Sequence, residues 1–120
     1  MLSNDYYLSI AIGIALTSKC KYKIGCIIID KRGRILSTGV NKSKTHTLQF
    51  QYAKDINEKK IHLHAEIDAI NNLKRASKPH AIYVARTSKI GDTRLAKPCS
   101  ICMKAIIDNK IDNIYWTVNE

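Results

Sequence analysis

The chain has 120 residues, of which 45% are hydrophobic and 25% are charged, and its formal net charge is +10. This length and composition are those of one folded domain over 1–120, and they exclude collagen-like, low-complexity and disordered chains. The excess of Lys and Arg over Asp and Glu favours an anionic partner.

Apolar periodicity divides the chain into alternating helices and strands. In the first helix, Tyr7, Ile10 and Ile14 share one apolar stripe with either Ala11 or Ala15. In chain order, the predicted elements are a helix at 5–18, strands at 24–30 and 35–41, a helix at 64–75, a strand at 81–86, a helix at 99–109 and a strand at 113–118.

This order of elements predicts an α/β fold. The first two strands are joined by a short Gly-containing segment at 31–34 and form a hairpin. The later strands alternate with helices, which favours parallel neighbours joined by right-handed crossovers. We therefore expect a three-layer α/β/α arrangement around a mixed sheet of four to five strands, in the order 2-1-3-4.

The longest apolar stretch, at 8–16, is shorter than the ~20 residues of a membrane span. No Lys or Arg precedes it, unlike the start of a secretory signal. We expect a cytoplasmic protein with no membrane partner. Its four cysteines are then not expected to form two disulfides.

Two short motifs at the N-termini of predicted helices contain the candidate metal-binding and proton-transfer residues. His64-Ala65-Glu66 begins the second helix, and Pro98 precedes the Cys99–Cys102 pair of the third. Helix N-termini favour thiolates, and such helix ends gather on one side of an α/β sheet. Two thiolates and an imidazole suit zinc, and three protein ligands leave the fourth position open, as in catalytic sites. Glu66 lies two residues beyond His64, where it could move protons without binding the metal.

Plainer interpretations exist for each of these residues. The two cysteines could form a redox pair, or a structural zinc knuckle with Cys20 or Cys26 as a further ligand. Glu66 could be a charge favoured by the helix dipole. His62 could replace His64 as a ligand, although the spacing to Glu66 would then change.

The H-x-E and P-C-x-x-C motifs resemble those of the zinc-dependent cytidine and deoxycytidylate deaminase superfamily, which also includes tRNA adenosine deaminases. The resemblance covers nearly the whole chain and implies the cytidine-deaminase-like fold. It implies His64, Cys99 and Cys102 as zinc ligands and Glu66 as the proton shuttle. It also implies contact of Asn41 with the substrate sugar and of the Ala65 backbone N–H with the base carbonyl. Relatives commonly assemble, so a homo-oligomer is expected.

The basic residues are concentrated in and around the predicted hairpin. Eight Lys and Arg residues but one carboxylate, Asp30, lie within 19–44. His46, a candidate substrate-binding residue, and Tyr52 fall in the basic segment that follows, which could flank the pocket or could simply be solvated. The charge could attract one nucleotide phosphate or a single-stranded nucleic acid.

The family resemblance implies a reaction in which zinc-bound hydroxide is the nucleophile and cytosine becomes uracil. We expect the substrate to be a nucleoside or nucleotide such as dCMP. One alternative is a deaminase acting on cytosine or adenine in single-stranded DNA or RNA. An alternative of another class is a non-catalytic module in which zinc only holds two helices together.

Overall fold

The computed structural model describes residues 3–42 and 63–119. No helix within these two ranges has both the length and the apolar character needed to cross a membrane. The helices and strands are α1 (Asn4–Ala15), β1 (Lys23–Ile29), β2 (Ile35–Val40), α2 (Ala65–Asn71), β3 (Ala81–Thr87), β4 (Thr93–Arg94), α3 (Ser100–Asp108) and β5 (Asn113–Trp116).

The five strands form one mixed sheet. β1 pairs antiparallel with β2 on one side and with β3 on the other. The opposite edge of β3 pairs antiparallel with β4 at 86–87 and parallel with β5 at 81–84. The predicted order 2-1-3-4 is confirmed, with β5 as the fourth predicted strand. The two-residue strand β4 was not predicted, and it forms where the chain after β3 turns back at Gly91, with φ 94°.

Helices cover both faces of the sheet and complete the predicted three layers. Alternate residues of a strand point to opposite faces. In β3, Tyr83 packs on the α1 side, whereas Ile82 and Val84 pack on the side of α2 and α3. The two helices that carry the predicted metal ligands therefore lie on the same face.

Small residues let the helices approach the sheet closely on each face. A Cβ on Gly25 would lie 2.3 Å from the Ala15 nitrogen of α1. A Cβ on Gly39 would lie 2.2 Å from the Ala65 oxygen and 2.5 Å from the Ala69 nitrogen of α2. Because neither glycine has a side chain, α1 packs directly against the backbone of β1, and α2 packs directly against the backbone of β2.

The apolar stripe of α1 differs from the prediction in its most buried members. Tyr7, Ala11 and Ala15 are buried, whereas Ile10 and Ile14 are half-buried. The side facing Gly25 has room only for alanine, so the larger isoleucines lie at its flanks.

Candidate metal centre and substrate pocket

The candidate metal centre lies where the N-termini of α2 and α3 meet. His64 immediately precedes α2, Cys99 immediately precedes α3, and Cys102 lies within the first turn of α3. The His64 Nδ1 atom is 3.2 Å from the Cys102 Sγ and 3.5 Å from the Cys99 Sγ. All three ligand atoms lie within 4.8 Å of one another. The structure thus gathers the three residues that the motifs predict as ligands.

The donor set and its spacing fit zinc. Two sulfurs and one imidazole nitrogen are ligands that zinc prefers. Around a tetrahedral zinc with ordinary bond lengths, such atoms lie roughly 3.6–3.8 Å apart. Among the described residues, neither Cys20 nor Cys26 joins the cluster, so the structural knuckle gains no fourth ligand from them. His62 lies outside the described residues.

A hydrogen bond between the two cysteines shifts their pKa values in opposite directions. Cys102 donates a hydrogen bond to Cys99, which lowers the pKa of Cys99 to about 3, and the hydrogen bond with His64 acts in the same direction. The same thiol–thiolate bond, followed by burial, raises the pKa of Cys102. One thiolate is therefore already present at neutral pH, and a divalent cation would take the place of the Cys102 proton.

Glu66 is a buried carboxyl next to this cluster. Only 5% of its surface is exposed, and it lies in the first turn of α2. Burial raises the pKa of Glu66, although its own backbone N–H and the neighbouring His64 oppose that shift. A carboxyl placed in this way can hold or release a proton near the metal ligands.

A cavity of about 580 Å³ opens beside the centre, a volume typical of small-ligand sites. His64, Glu66 and Cys99 form part of its wall, whereas Cys102 is fully buried in α3. Among the residues that the structure describes, five cations and one carboxyl group, that of Glu66, line the cavity. These cations are Lys19, Lys21, Lys42, Arg86 and Lys97.

Asn41 lines the cavity, but its amide group is largely engaged by the protein. Its Oδ1 accepts hydrogen bonds from Ser18 Oγ at 2.7 Å and from the Ile24 N–H at 3.0 Å. Its Nδ2 donates to the Tyr22 carbonyl at 2.6 Å. Asn41 therefore holds the segment between α1 and β1 against the end of β2. Its predicted contact with a substrate sugar stays a prediction.

The other two predicted substrate-binding residues are Ala65 and His46. Ala65 is fully buried beneath the centre, where its carbonyl accepts from the Cys26 thiol at 3.1 Å. As the first residue of α2, Ala65 has an N–H with no acceptor within the helix. Its contact with a base carbonyl stays a prediction, and His46 lies outside the described residues.

Sequence reasoning missed several residues of the cavity wall, among them Tyr22 and Arg86. The Arg86 guanidinium lies over the Tyr22 ring, with its carbon 4.9 Å from the ring centroid. Arg86 pairs with Ile24 across β1 and β3. That long-range register brings the two residues to the cavity, and no local motif predicts it.

The model of one protein family matches almost the whole chain. The family is described as the cytidine and deoxycytidylate deaminase zinc-binding region, and the match covers residues 1–118. A comparison with curated proteins finds no match.

Solved deaminase structures share the fold. Cytidine deaminase from Mycobacterium leprae is 18% identical, with a TM-score of 0.66, over 96% of this chain and 89% of that one. The dCMP deaminase of cyanophage S-TIM5, in complex with dCMP and dUMP, is 23% identical, with a TM-score of 0.63, over 93% and 78%. Guanine deaminase from Bacillus subtilis is 16% identical, with a TM-score of 0.60, over 98% and 65%. At sequence identities below 25%, these similarities establish a shared fold and nothing more.

Proposed function

Because the chain belongs to the cytidine and deoxycytidylate deaminase zinc-binding family, we propose that it catalyses the hydrolytic deamination of cytosine to uracil in a nucleoside or nucleotide such as dCMP. Zinc is the cofactor, and Glu66 is the residue that transfers protons.

One observation carries the proposal: a buried carboxyl and two of the three clustered candidate metal ligands lie in the wall of a small-ligand cavity. Glu66 and His64 lie at the start of α2, and Cys99 lies at the start of α3. A module in which zinc only joined two helices would need neither the cavity nor a carboxyl buried next to the ligands. A redox pair would not need His64 and Glu66 on a separate helix.

The residues of this chain account for the proton transfers that the reaction needs. His64, Cys99 and Cys102 would hold the zinc ion, which would supply a bound water with a pKa of about 7. Deamination adds water at the carbon that bears the exocyclic amine and releases ammonia, so the ring nitrogen and then the amine must gain a proton. Glu66 takes one proton from the water and delivers it to the ring nitrogen. It then takes the second proton from the added hydroxyl group, as the new carbonyl forms, and delivers it to the amine, which leaves as ammonia. Such general acid–base help is worth roughly 10²–10⁴-fold in rate.

The choice of cytosine rests on the family, since the fold is shared with a deaminase that acts on guanine. The cyanophage enzyme is described in complex with dCMP and dUMP, which supports a cytosine nucleotide as the first substrate to test. The cations that line the cavity also favour a substrate that carries phosphate.

Glu66→Gln tests the proton-transfer role. The amide has the size of the carboxylate but cannot accept and return a proton, so we expect kcat to fall about 10²–10⁴-fold. Zinc content and thermal stability should stay near those of the parent. Asp108→Asn, an exposed change on α3, is the matched control and should retain activity.

The metal is tested separately by Cys99→Ala, which should reduce the zinc content of the purified protein. A parent protein that binds no zinc would refute the zinc-dependent mechanism. Full turnover by Glu66→Gln would instead refute only the role of Glu66.

Mass spectrometry of the products from a mixed panel identifies the substrate. The panel contains cytidine, deoxycytidine, their monophosphates, adenosine, single-stranded DNA and RNA. We expect uracil products from the cytosine monomers. Deamination confined to the polymers would favour the nucleic-acid alternative, and a zinc-loaded protein without any turnover would favour the binding module.

A further inference from the structure

The five cations of the cavity wall differ in what surrounds them. Lys19, Lys21 and Lys97 are exposed, so water screens their charges, although the Lys21 ammonium also lies 5.5 Å from the centroid of the Tyr22 ring. Lys42 is half-buried, but its ammonium lies 3.1 Å from the Asp68 carboxylate. Arg86 is the remaining cation, and among the described residues no carboxylate lies within ion-pair distance of it.

Arg86 is held in place by the fold. Its even-numbered position on β3 places it on the face that carries α2 and α3, in line with Ile82 and Val84. It lies opposite Ile24 of β1, which also lines the cavity. The Tyr22 ring supports the guanidinium at 4.9 Å. A half-buried Arg at the end of a row of apolar residues, supported by a ring and facing a cavity, is arranged to meet an anion.

We propose that Arg86 binds the phosphate of a mononucleotide substrate and so makes this pocket prefer nucleotides over nucleosides. The inference rests on the proposed function, because it places the phosphate in the cavity that contains the metal ligands and Glu66. A guanidinium presents paired N–H donors that match two phosphate oxygens, and such charge-assisted bonds are stronger than neutral ones.

The same observations favour a mononucleotide over a polymer. A terminal phosphate carries about −1.5 to −2 charges at neutral pH, and in the described part of the chain the cavity is lined by five cations and one carboxyl group. Readers of single-stranded nucleic acid stack successive bases on aromatic side chains. Among the described residues that line this cavity, the only Phe, Tyr or Trp is Tyr22, and Arg86 already lies over its ring.

The test measures kcat/KM for dCMP and for deoxycytidine with the zinc-loaded parent and with Arg86→Gln. We expect the ratio of the two values, dCMP over deoxycytidine, to fall about 10- to 100-fold in the variant. Arg86→Lys keeps the charge but lacks the planar guanidinium group, so its ratio should lie between those of the parent and of Arg86→Gln. Arg75→Gln removes an exposed arginine outside the cavity and should leave the ratio unchanged.

Binding of dUMP and deoxyuridine, measured by calorimetry on the same proteins, gives a readout that does not need turnover. We expect the parent to bind dUMP more tightly than deoxyuridine and Arg86→Gln to lose most of that difference. An Arg86→Gln protein that is folded and zinc-loaded yet keeps the parent ratio would overturn the inference.

The outcomes separate this inference from the proposed function. If the parent deaminates neither monomer, the proposed function fails, while the dUMP comparison still decides whether Arg86 binds a phosphate. If Arg86→Gln impairs only a single-stranded oligonucleotide, the mononucleotide preference is wrong. If deoxycytidine and dCMP lose activity equally, Arg86 does not recognise the phosphate.

Discussion

At the scale of single residues, Asn41 shows how one side chain both lines a pocket and supports it. Its amide binds Ser18, Tyr22 and the Ile24 N–H, which are all in the segment that joins α1 to β1 or at the start of β1. Lys19, Lys21 and Tyr22 reach the cavity from this segment. The observed contacts therefore favour a positioning role, which differs from the sugar contact implied by the family motif.

Asn41→Ala should destabilise the protein. Removing the amide leaves the half-buried Ile24 N–H and the Tyr22 carbonyl without this partner, and we expect a loss of about 1–3 kcal/mol in the free energy of unfolding. Denaturant titration of the zinc-loaded protein measures this change. KM should also rise, because the segment that carries Tyr22 and two lysines would be less well held.

Asn71→Ala is the matched control for Asn41→Ala, because Asn71 is exposed at the end of α2. This substitution should change the free energy of unfolding by no more than about 0.5 kcal/mol. An Asn41→Ala protein with unchanged stability and a raised KM would show that contact with substrate, rather than support of the segment, is the main role of Asn41.

At the scale of helices and strands, the site depends on how closely α2 lies on β2. Gly39 faces the backbone of Ala65 and Ala69, and Ala65 is flanked by the predicted ligand His64 and by Glu66. Asp68, also on α2, accepts the Val40 N–H and pairs with Lys42. The end of β2 thus sets the distance of α2 from the sheet and the position of its N-terminus, where His64 and Glu66 lie.

Gly39→Ala should both destabilise the fold and weaken zinc binding. The new methyl group would meet backbone at 2.2 Å, so α2 must move away at a cost of about 1–3 kcal/mol or more. Because His64 moves with α2, we expect zinc affinity to fall about tenfold, as when a supporting contact of a metal ligand is lost. Thermal denaturation and competition with a zinc chelator measure the two effects.

Two other glycines provide the controls for Gly39→Ala. Gly25→Ala meets the α1 backbone at 2.3 Å, so it should destabilise the protein with little effect on zinc, since α1 carries no ligand. Gly13 lies within α1, and a Cβ added there would meet no neighbouring atom within 4 Å, so Gly13→Ala should stabilise by about 0.5–1 kcal/mol. Equal zinc affinity in all three variants would contradict the role given to the contact between α2 and β2.

Local sequence patterns predicted the layers and the clustering of the three candidate metal ligands, but not the details that depend on distant contacts. His64, Cys99 and Cys102 were predictable because each motif lies at the start of a helix and the type of chemistry depends on a few residues. Arg86 was missed because its place in the cavity depends on the register of β3 against β1. The burial of Ala11 in place of Ile10 likewise depends on Gly25, which lies on another element.

At the scale of the whole molecule, the fold divides the basic segment that looks continuous in the sequence. Lys19, Lys21 and Lys42 line the cavity, whereas Arg34 lies at the other end of the hairpin, where it pairs with Asp30 at 2.8 Å. The seven residues of β1 separate the two ends by roughly 20 Å, about twice the screening length in physiological salt. Only part of the net charge therefore acts on a ligand in the cavity.

This division predicts a moderate dependence of activity on salt. Between about 50 and 500 mM NaCl, kcat/KM for dCMP should fall roughly 3- to 10-fold, because the exposed lysines at the cavity steer one phosphate and are easily screened. Deoxycytidine has no phosphate, so its kcat/KM should change by less than about twofold. Steady-state assays with constant zinc measure both substrates in the same salt series.

The size of the salt effect also separates the two kinds of substrate. A protein that held six or more phosphates of a nucleic acid would lose about 10³-fold or more in affinity between 50 and 200 mM salt. The cavity places its cations around one site, so an effect that large with a short single-stranded oligonucleotide would contradict the mononucleotide assignment. An equal loss for dCMP and deoxycytidine would show that salt acts on the fold or on zinc binding, and the charge of the cavity would then have no part in selecting the substrate.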